Sequence, residues 1–238
     1  MPVFPARAHG PAAHAGSPEL TTSVGDSAWE DAYERFETPA QEIAKFTRRL
    51  KSFGAQTWPR DARIVELFCG RGNGLVTLER LGFTSLAGVD LSPALVAAYR
   101  GAAQCHVADC RHLPFADASQ DILIVQGGLH HLLCLPDDLD AVLAEARRVL
   151  VPGGKLVVVE PWRTPFLDFV HRVCAWPVAR RLWPRLDAMY TMIIHELATY
   201  DQWLDRPAEI LRQFETHFEI ERRDIGWGKL RLLGVRRS

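Results

Sequence analysis

The sequence predicts an α/β fold, doubly wound around a mostly parallel seven-stranded sheet, with an antiparallel edge hairpin and a helical lid. Three observations predict it. From residue 61 onward, short apolar runs alternate with stretches of helical periodicity. A loop with glycine at 70, 72 and 74 joins the first apolar run to a helix. Glu66, Asp90, Asp109 and Gln126 fall at or just past the ends of four successive runs. In open α/β sheets that is where ligands bind.

The elements follow in order. Residues 1 to about 26 are rich in Pro, Ala, Gly and His and read as a mobile tail. From about Trp29 to Phe53 the periodicity is helical, with Phe36, Ile43, Phe46 and Leu50 on one face, so residues 27–60 read as a helical cap. Ile64–Phe68 is the first strand, and a helix follows near Leu75–Leu81. Ser85–Val89 is the second strand, and Pro93 sits in the first turn of the next helix, where its missing N–H costs nothing. Cys105–Ala108, Ile122–Gln126 and Leu156–Val159 are the third to fifth strands. Before the fifth, an amphipathic helix over Asp137–Leu150 stops at Val-Pro-Gly-Gly, 151–154. Residues 162–206 interrupt the alternation with four tryptophans and with Pro165, Pro177 and Pro184. A helix at Pro207–Phe214 and strands at Phe218–Arg223 and Leu230–Val235 complete the domain of residues 61–238.

Composition narrows the function classes. Hydrophobic content of 47% and charged content of 24% are ordinary for a globular chain. A net charge of -1 argues against a dedicated nucleic-acid binder. The five cysteines form no CxxC pair, which fits reduced thiols in a cytoplasmic protein. No run reaches the length of a membrane span. His130 and His131 are adjacent, but no acid or cysteine stands at ligand spacing around them, so no metal is expected.

The glycine loop decides the cofactor. A phosphate loop would need GxxxxGK and then Ser or Thr, and no such Lys is present. A dinucleotide loop would need GxGxxG, but the run from Gly70 is GRGNGL. An S-adenosylmethionine loop fits better, since that ligand has no phosphate and needs close backbone approach instead. Glu66 can meet the amino group, Asp90 both ribose hydroxyls and Asp109 the adenine amino group. Phe68, Gly70, Gly72, Asn73, Leu91, Cys110 and Gln126 complete the expected cofactor set.

The chain resembles the class I S-adenosylmethionine-dependent methyltransferases, in the group that holds the quinone-biosynthesis and many small-molecule enzymes. VELFCGRGNG at 65–74, GVDLSPALV at 88–96 and ADCRHLPFADASQDILIV at 108–125 carry the resemblance. GGLHHL at 127–132 and ARRVLVPGGKLVVVEP at 146–161 complete it. It implies a Rossmann-like sheet, S-adenosyl-L-methionine as cofactor and methyl transfer to a small, hydrophobic or aromatic molecule. The alternative is a cofactor-binding protein of the same fold that transfers no methyl: a cyclase, a sensor or a partner subunit. Phe68 stands where the family often has glycine, and is expected to narrow the pocket.

Methyl transfer is an in-line displacement, so the acceptor must be oriented and water excluded. His130 follows the fourth strand and is the candidate base, whereas the family analogy makes His131 structural. Glu160, Tyr190, His195, Glu196 and Tyr200 are candidate substrate contacts. The insert carries Arg172, Arg180, Arg181 and Arg185 among its aromatics. It reads as a lid; a peripheral membrane surface and a homodimer contact stay open beside that, as does a monomer.

Overall fold

In the computed structural model, which describes residues 27–237, seven strands form one sheet in the order β3-β2-β1-β4-β5-β7-β6. The segment read as a mobile tail, 1–26, lies outside the described residues. The strands are β1 Arg63–Leu67, β2 Ser85–Asp90, β3 Gln104–Val107, β4 Gln120–Gln126, β5 Leu150–Pro161, β6 Glu219–Gly226 and β7 Lys229–Val235. The first five are parallel; β7 runs antiparallel to both β5 and β6. The chain steps outward from β1 to β3, then returns to β4 on the other side of β1. That reversal opens a crevice at the carboxyl ends of β1 and β4.

Helices cover both faces, as the continuous apolar character of Ile122–Val125 and Leu156–Val159 requires. One core joins the sheet to α5 (Asp137–Val149) and α10 (Pro207–His217) through Leu139, Val142, Ala146 and Phe214. The other joins it to α2 (Pro39–Ser52) and α3 (Asn73–Arg80) through Leu50, Leu78, Ile124 and Val157. A last short helix, α4, spans Pro93–Ala98, N-capped by Ser92.

Two expectations change. The helical stretch at 29–53 is two helices, α1 (Ser27–Phe36) and α2. Thr38 N-caps α2 and forms a capping box with Gln41, and Pro39 then occupies the first turn. The fifth strand runs from Leu150 through the Pro-Gly-Gly turn to Pro161, with a register shift opposite Gln120 and Ile122. The antiparallel hairpin stands at the sheet edge as expected, with β7 against β5 and β6 outermost.

The insert is four helices, α6 (Pro165–Ala175), α7 (Pro177–Leu182), α8 (Pro184–His195) and α9 (Leu197–Leu204). Proline starts each of the first three, which sets the short segment lengths. Trp203 anchors the insert: it is fully buried, donates from Nε1 to the Pro161 carbonyl at 2.8 Å and meets Trp162 edge to face. Helix α1 packs on α8, tied by Arg185 Nε donating to the Phe36 carbonyl and by the Arg35–Asp187 ion pair. Cap and insert therefore form one roof over the crevice.

Candidate active site

Under that roof lies a cavity of about 370 Å³, lined from the sheet by Glu66, Phe68, Gly70, Asn73, Asp90, Leu91, Asp109, Cys110, Gln126 and His130. Ten of the expected residues are thus brought together, and Tyr200 joins them from α9. Gly72, Glu160, Tyr190 and His195 do not line it.

The loop after β1 is built for close approach. Gly70 has a φ of 52° and open space where a side chain would stand. Its N–H donates to Asp90 Oδ2 at 2.8 Å, while Ser92 N–H donates to Oδ1 at 2.9 Å. Asp90 therefore pins the loop to the end of β2 as well as facing the cavity. Gly72 has a structural reason instead of a ligand one: a Cβ there would lie 2.2 Å from the Tyr99 ring.

Glu66 sits 3% exposed at the end of β1. Gln126 Nε2 donates to its Oε1 at 3.3 Å, whereas Glu66 Oε2 and Gln126 Oε1 are buried with no hydrogen-bond partner. Burial raises the carboxyl pKa to about 8, helped by the charge of Glu42 and opposed by the Gln126 bond. A buried carboxyl that loses its proton beside the unpartnered Gln126 oxygen makes a place for a cation. The ammonium of the methionine part of the cofactor fits that need.

Asn73 and Asp109 are less free than expected. Asn73 Nδ2 donates to Glu42 Oε2 at 2.7 Å, which fastens the loop to α2. Glu42 also accepts from the Tyr33 hydroxyl, so α1 is held by the same carboxylate. Asp109 is gripped by Arg111, whose Nη2 lies 2.7 Å from Oδ2 and whose Nη1 reaches Asp138 at 2.7 Å. A ligand amino group must share the Asp109 oxygens with Arg111. Phe68 takes a φ of 56°, in the left-handed region that favours glycine. Its ring packs on Gly128, where a Cβ would lie 2.2 Å from the ring.

Glu160 is corrected from substrate contact to support. It is fully buried; Oε1 accepts from the Gly128 and Leu129 N–H groups at 2.8 Å each, and Oε2 lies 2.7 Å from His130 Nδ1. One carboxylate thus fixes the turn after β4 and aims His130 Nε2 at the cavity. Burial alone would lower the His130 pKa, but the Glu160 bond and the charges of Glu160 and Glu196 raise it to about 9. Left to itself, the imidazole already holds the proton that the base role would have it accept. His131 is not simply structural: it lines the cavity too, with its ring centroid 4.1 Å from that of His130. Tyr190 instead stacks under the Arg180 guanidinium, 3.8 Å from the ring centroid.

Several lining residues carry no local motif: Trp29 and Tyr33 of α1, Phe46 and Arg49 of α2, Met189, Met192 and Ile193 of α8, and Lys229 of β7. The apolar face of the cap was legible, but nothing in its spacing says that the face turns toward the crevice.

Comparison with known proteins bears on the family and the fold. Residues 65–158 match a family model described as a methyltransferase domain. The ubiquinone/menaquinone biosynthesis C-methyltransferase UbiE of Geotalea daltonii is 31% identical over 166 residues, spanning 60% of this chain and 68% of that one. The chain belongs to the class I S-adenosylmethionine-dependent methyltransferases. The demethylmenaquinone methyltransferase of Thermus thermophilus is 34% identical over 131 residues, spanning 47% of this methyltransferase and 58% of that protein. In fold, it is similar to the PH0226 protein of Pyrococcus horikoshii OT3, with a TM-score of 0.62, 19% identity and coverage of 88% and 98%. The S-adenosylmethionine-dependent methyltransferase of Mesorhizobium loti gives a TM-score of 0.53 at 20% identity, with coverage of 79% and 98%. S-adenosylmethionine is the cofactor, and the protein is an enzyme. No helix among the described residues is long and apolar enough to cross a membrane.

Proposed function

We propose that this methyltransferase acts on a small, largely apolar molecule with a flat ring, held under α1, α2, α8 and α9. The observation that carries this reading is the roof of the cavity, where Phe46, Met189, Met192 and Ile193 oppose the polar floor of Glu66, Asp90 and Gln126. Methionine side chains adapt to a flat ligand, and aromatic walls exclude water. The names of the two relatives, which refer to quinone biosynthesis and demethylmenaquinone, point the same way.

In this reading Glu66 and Gln126 hold the ammonium, Asp90 the ribose and Asp109 with Cys110 the adenine side. The cofactor supplies an electrophilic methyl group. The chain's part is to orient the acceptor atom beside the turn at Gly127–His130, with His130 presenting Nε2, and to keep water out by closing α1 on α8. Tyr200 fits a substrate contact, whereas His195 and Tyr190 belong to the lid and do not line the cavity.

Access from a bilayer suits such an acceptor. Trp176, Leu182 and Trp183 are 61%, 79% and 61% exposed on the outside of the insert, beside Arg181 and Arg185. Aromatic and basic groups together favour a peripheral contact with an anionic membrane. We place the enzyme in the cytoplasm, where its cysteines stay reduced.

The test is turnover. Purified enzyme with S-adenosylmethionine and a panel of phenols, hydroquinones and naphthols should release S-adenosylhomocysteine and a methylated ring. Transfer only to amines or peptides would contradict the proposed substrate class.

A further inference from the structure

The junction of α8 and α9 lowers Glu196 between two adjacent imidazoles. Glu196 Oε2 lies 3.7 Å from His130 Nε2, and Oε1 lies 3.9 Å from His131 Nδ1. The three residues can offer donor atoms that all fall within 4.8 Å of one another. We propose that His130, His131 and Glu196 bind a divalent metal ion of the zinc class, whose remaining positions open on the cavity.

The distances favour an ion over direct contact. Both separations exceed hydrogen-bonding range, so the charged His130 faces Glu196 as an ion pair without a close hydrogen bond. Two ligands held about 2.1 Å from a tetrahedral ion stand about 3.4 Å apart, so the three donors draw in on the ion from separations of up to 4.8 Å. Glu196 Oε1 is buried without a hydrogen-bond partner, and leaving such an oxygen unsatisfied costs about 1–3 kcal/mol. Two imidazoles and one carboxylate form the donor set of open zinc and iron sites.

The surroundings fit as well. A metal-bound histidine usually gives its other nitrogen to a carboxylate, which fixes tautomer and ring angle. Glu160 does this for His130 at 2.7 Å and is itself locked by two backbone N–H groups. Both histidines lie in one 3₁₀ turn, Leu129–His131, so their relative placement is rigid. Glu196 comes from far along the chain, which is why no ligand spacing marks the site in the sequence. What the ion does for an acceptor, drawing an oxygen to it beside the methyl position, rests on the methyl-transfer reading; its binding does not.

The experiment is metal titration of the full chain, stripped with a chelator and judged folded by circular dichroism. Calorimetry with Zn²⁺ should give one site per chain. Co²⁺ should give the visible bands of nitrogen and oxygen ligation, with no thiolate charge-transfer band. His131→Gln and Glu196→Gln should each weaken Zn²⁺ by more than the roughly 10–100-fold typical of an outer-shell partner. Cys134→Ser, which alters an exposed thiol, should change nothing. No stoichiometric Zn²⁺ in folded protein, a thiolate band, or unchanged affinity in both variants would overturn the proposal. Should either variant fail to fold, the Co²⁺ spectrum of the unaltered chain still decides. S-adenosylhomocysteine binding on the same preparation separates this outcome from failure of the methyltransferase reading.

Discussion

Glu66→Gln should stabilise the cofactor-free protein while weakening the cofactor. The carboxyl has a pKa of about 8 in the fold against 4.5 for an unperturbed side chain. A raised acid pKa means that the folded state binds the proton more tightly, so stability falls as pH climbs from 4.5 through 8. Each pH unit in that window costs about 1.4 kcal/mol, and about 4 kcal/mol is lost by pH 7.5. The uncharged amide escapes this cost. For a chain of this size, 1 kcal/mol moves Tm by about 2–4 °C, so the variant should melt several degrees higher at pH 7.5 and much closer to the original at pH 5. Cofactor binding should move the other way. The ammonium needs the ionised carboxylate, which at pH 7 is about one tenth of the free protein. Affinity should therefore rise several-fold between pH 6 and 7, with release of close to one proton per cofactor, and the amide should abolish both. Of the groups facing Glu66, Gln126 is neutral and burial pushes the Cys69 thiol far up, so neither mimics this. The assays are thermal melts over pH 5–8 and calorimetry in two buffers of different ionisation enthalpy. A variant less stable than the original at pH 7.5, or binding free of proton release at pH 6.5, would refute the reasoning.

Other perturbations are sharper in geometry. Gly128→Ala should cost about 2 kcal/mol or more, because its Cβ meets the Phe68 ring at 2.2 Å, and far less in a Phe68→Gly background; equal costs in denaturant melts would break that link. Asp90→Ala removes the acceptor for both the Gly70 and Ser92 N–H groups and the ribose partner, so cofactor affinity by calorimetry should fall at least about tenfold. Trp203→Phe deletes the bond to the Pro161 carbonyl and should cost about 1–3 kcal/mol, read by urea unfolding. Replacing Trp176 and Trp183 together by Ala should reduce sedimentation with anionic vesicles and leave turnover of a water-soluble acceptor unchanged.

The sheet was legible because buried parallel strands leave continuous apolar runs, and Ile122–Val125 and Leu156–Val159 are such runs. The cofactor floor was legible for a related reason. Glu66, Asp90 and Gln126 are fixed by strand ends, and strand ends can be read from apolar runs. Glu160 looked the same in sequence, yet its side chain points into the turn after β4 instead of the cavity. Position along a strand does not tell on which partner a carboxylate is spent. The roof was harder still. The Thr38 capping box that splits the cap interrupts what reads as one helical periodicity, and the pairing of α1 with α8 depends on long-range packing. Glu196 meets His130 and His131 only through that packing, and no local pattern records it.

The most direct measurement is a crystal structure of the enzyme with S-adenosylhomocysteine. The account places its ammonium on Glu66 and Gln126, its ribose on Asp90 and its sulfur beside the turn at Gly127–His130. A ligand bound elsewhere, or a ribose that leaves Asp90 without contact, would contradict it.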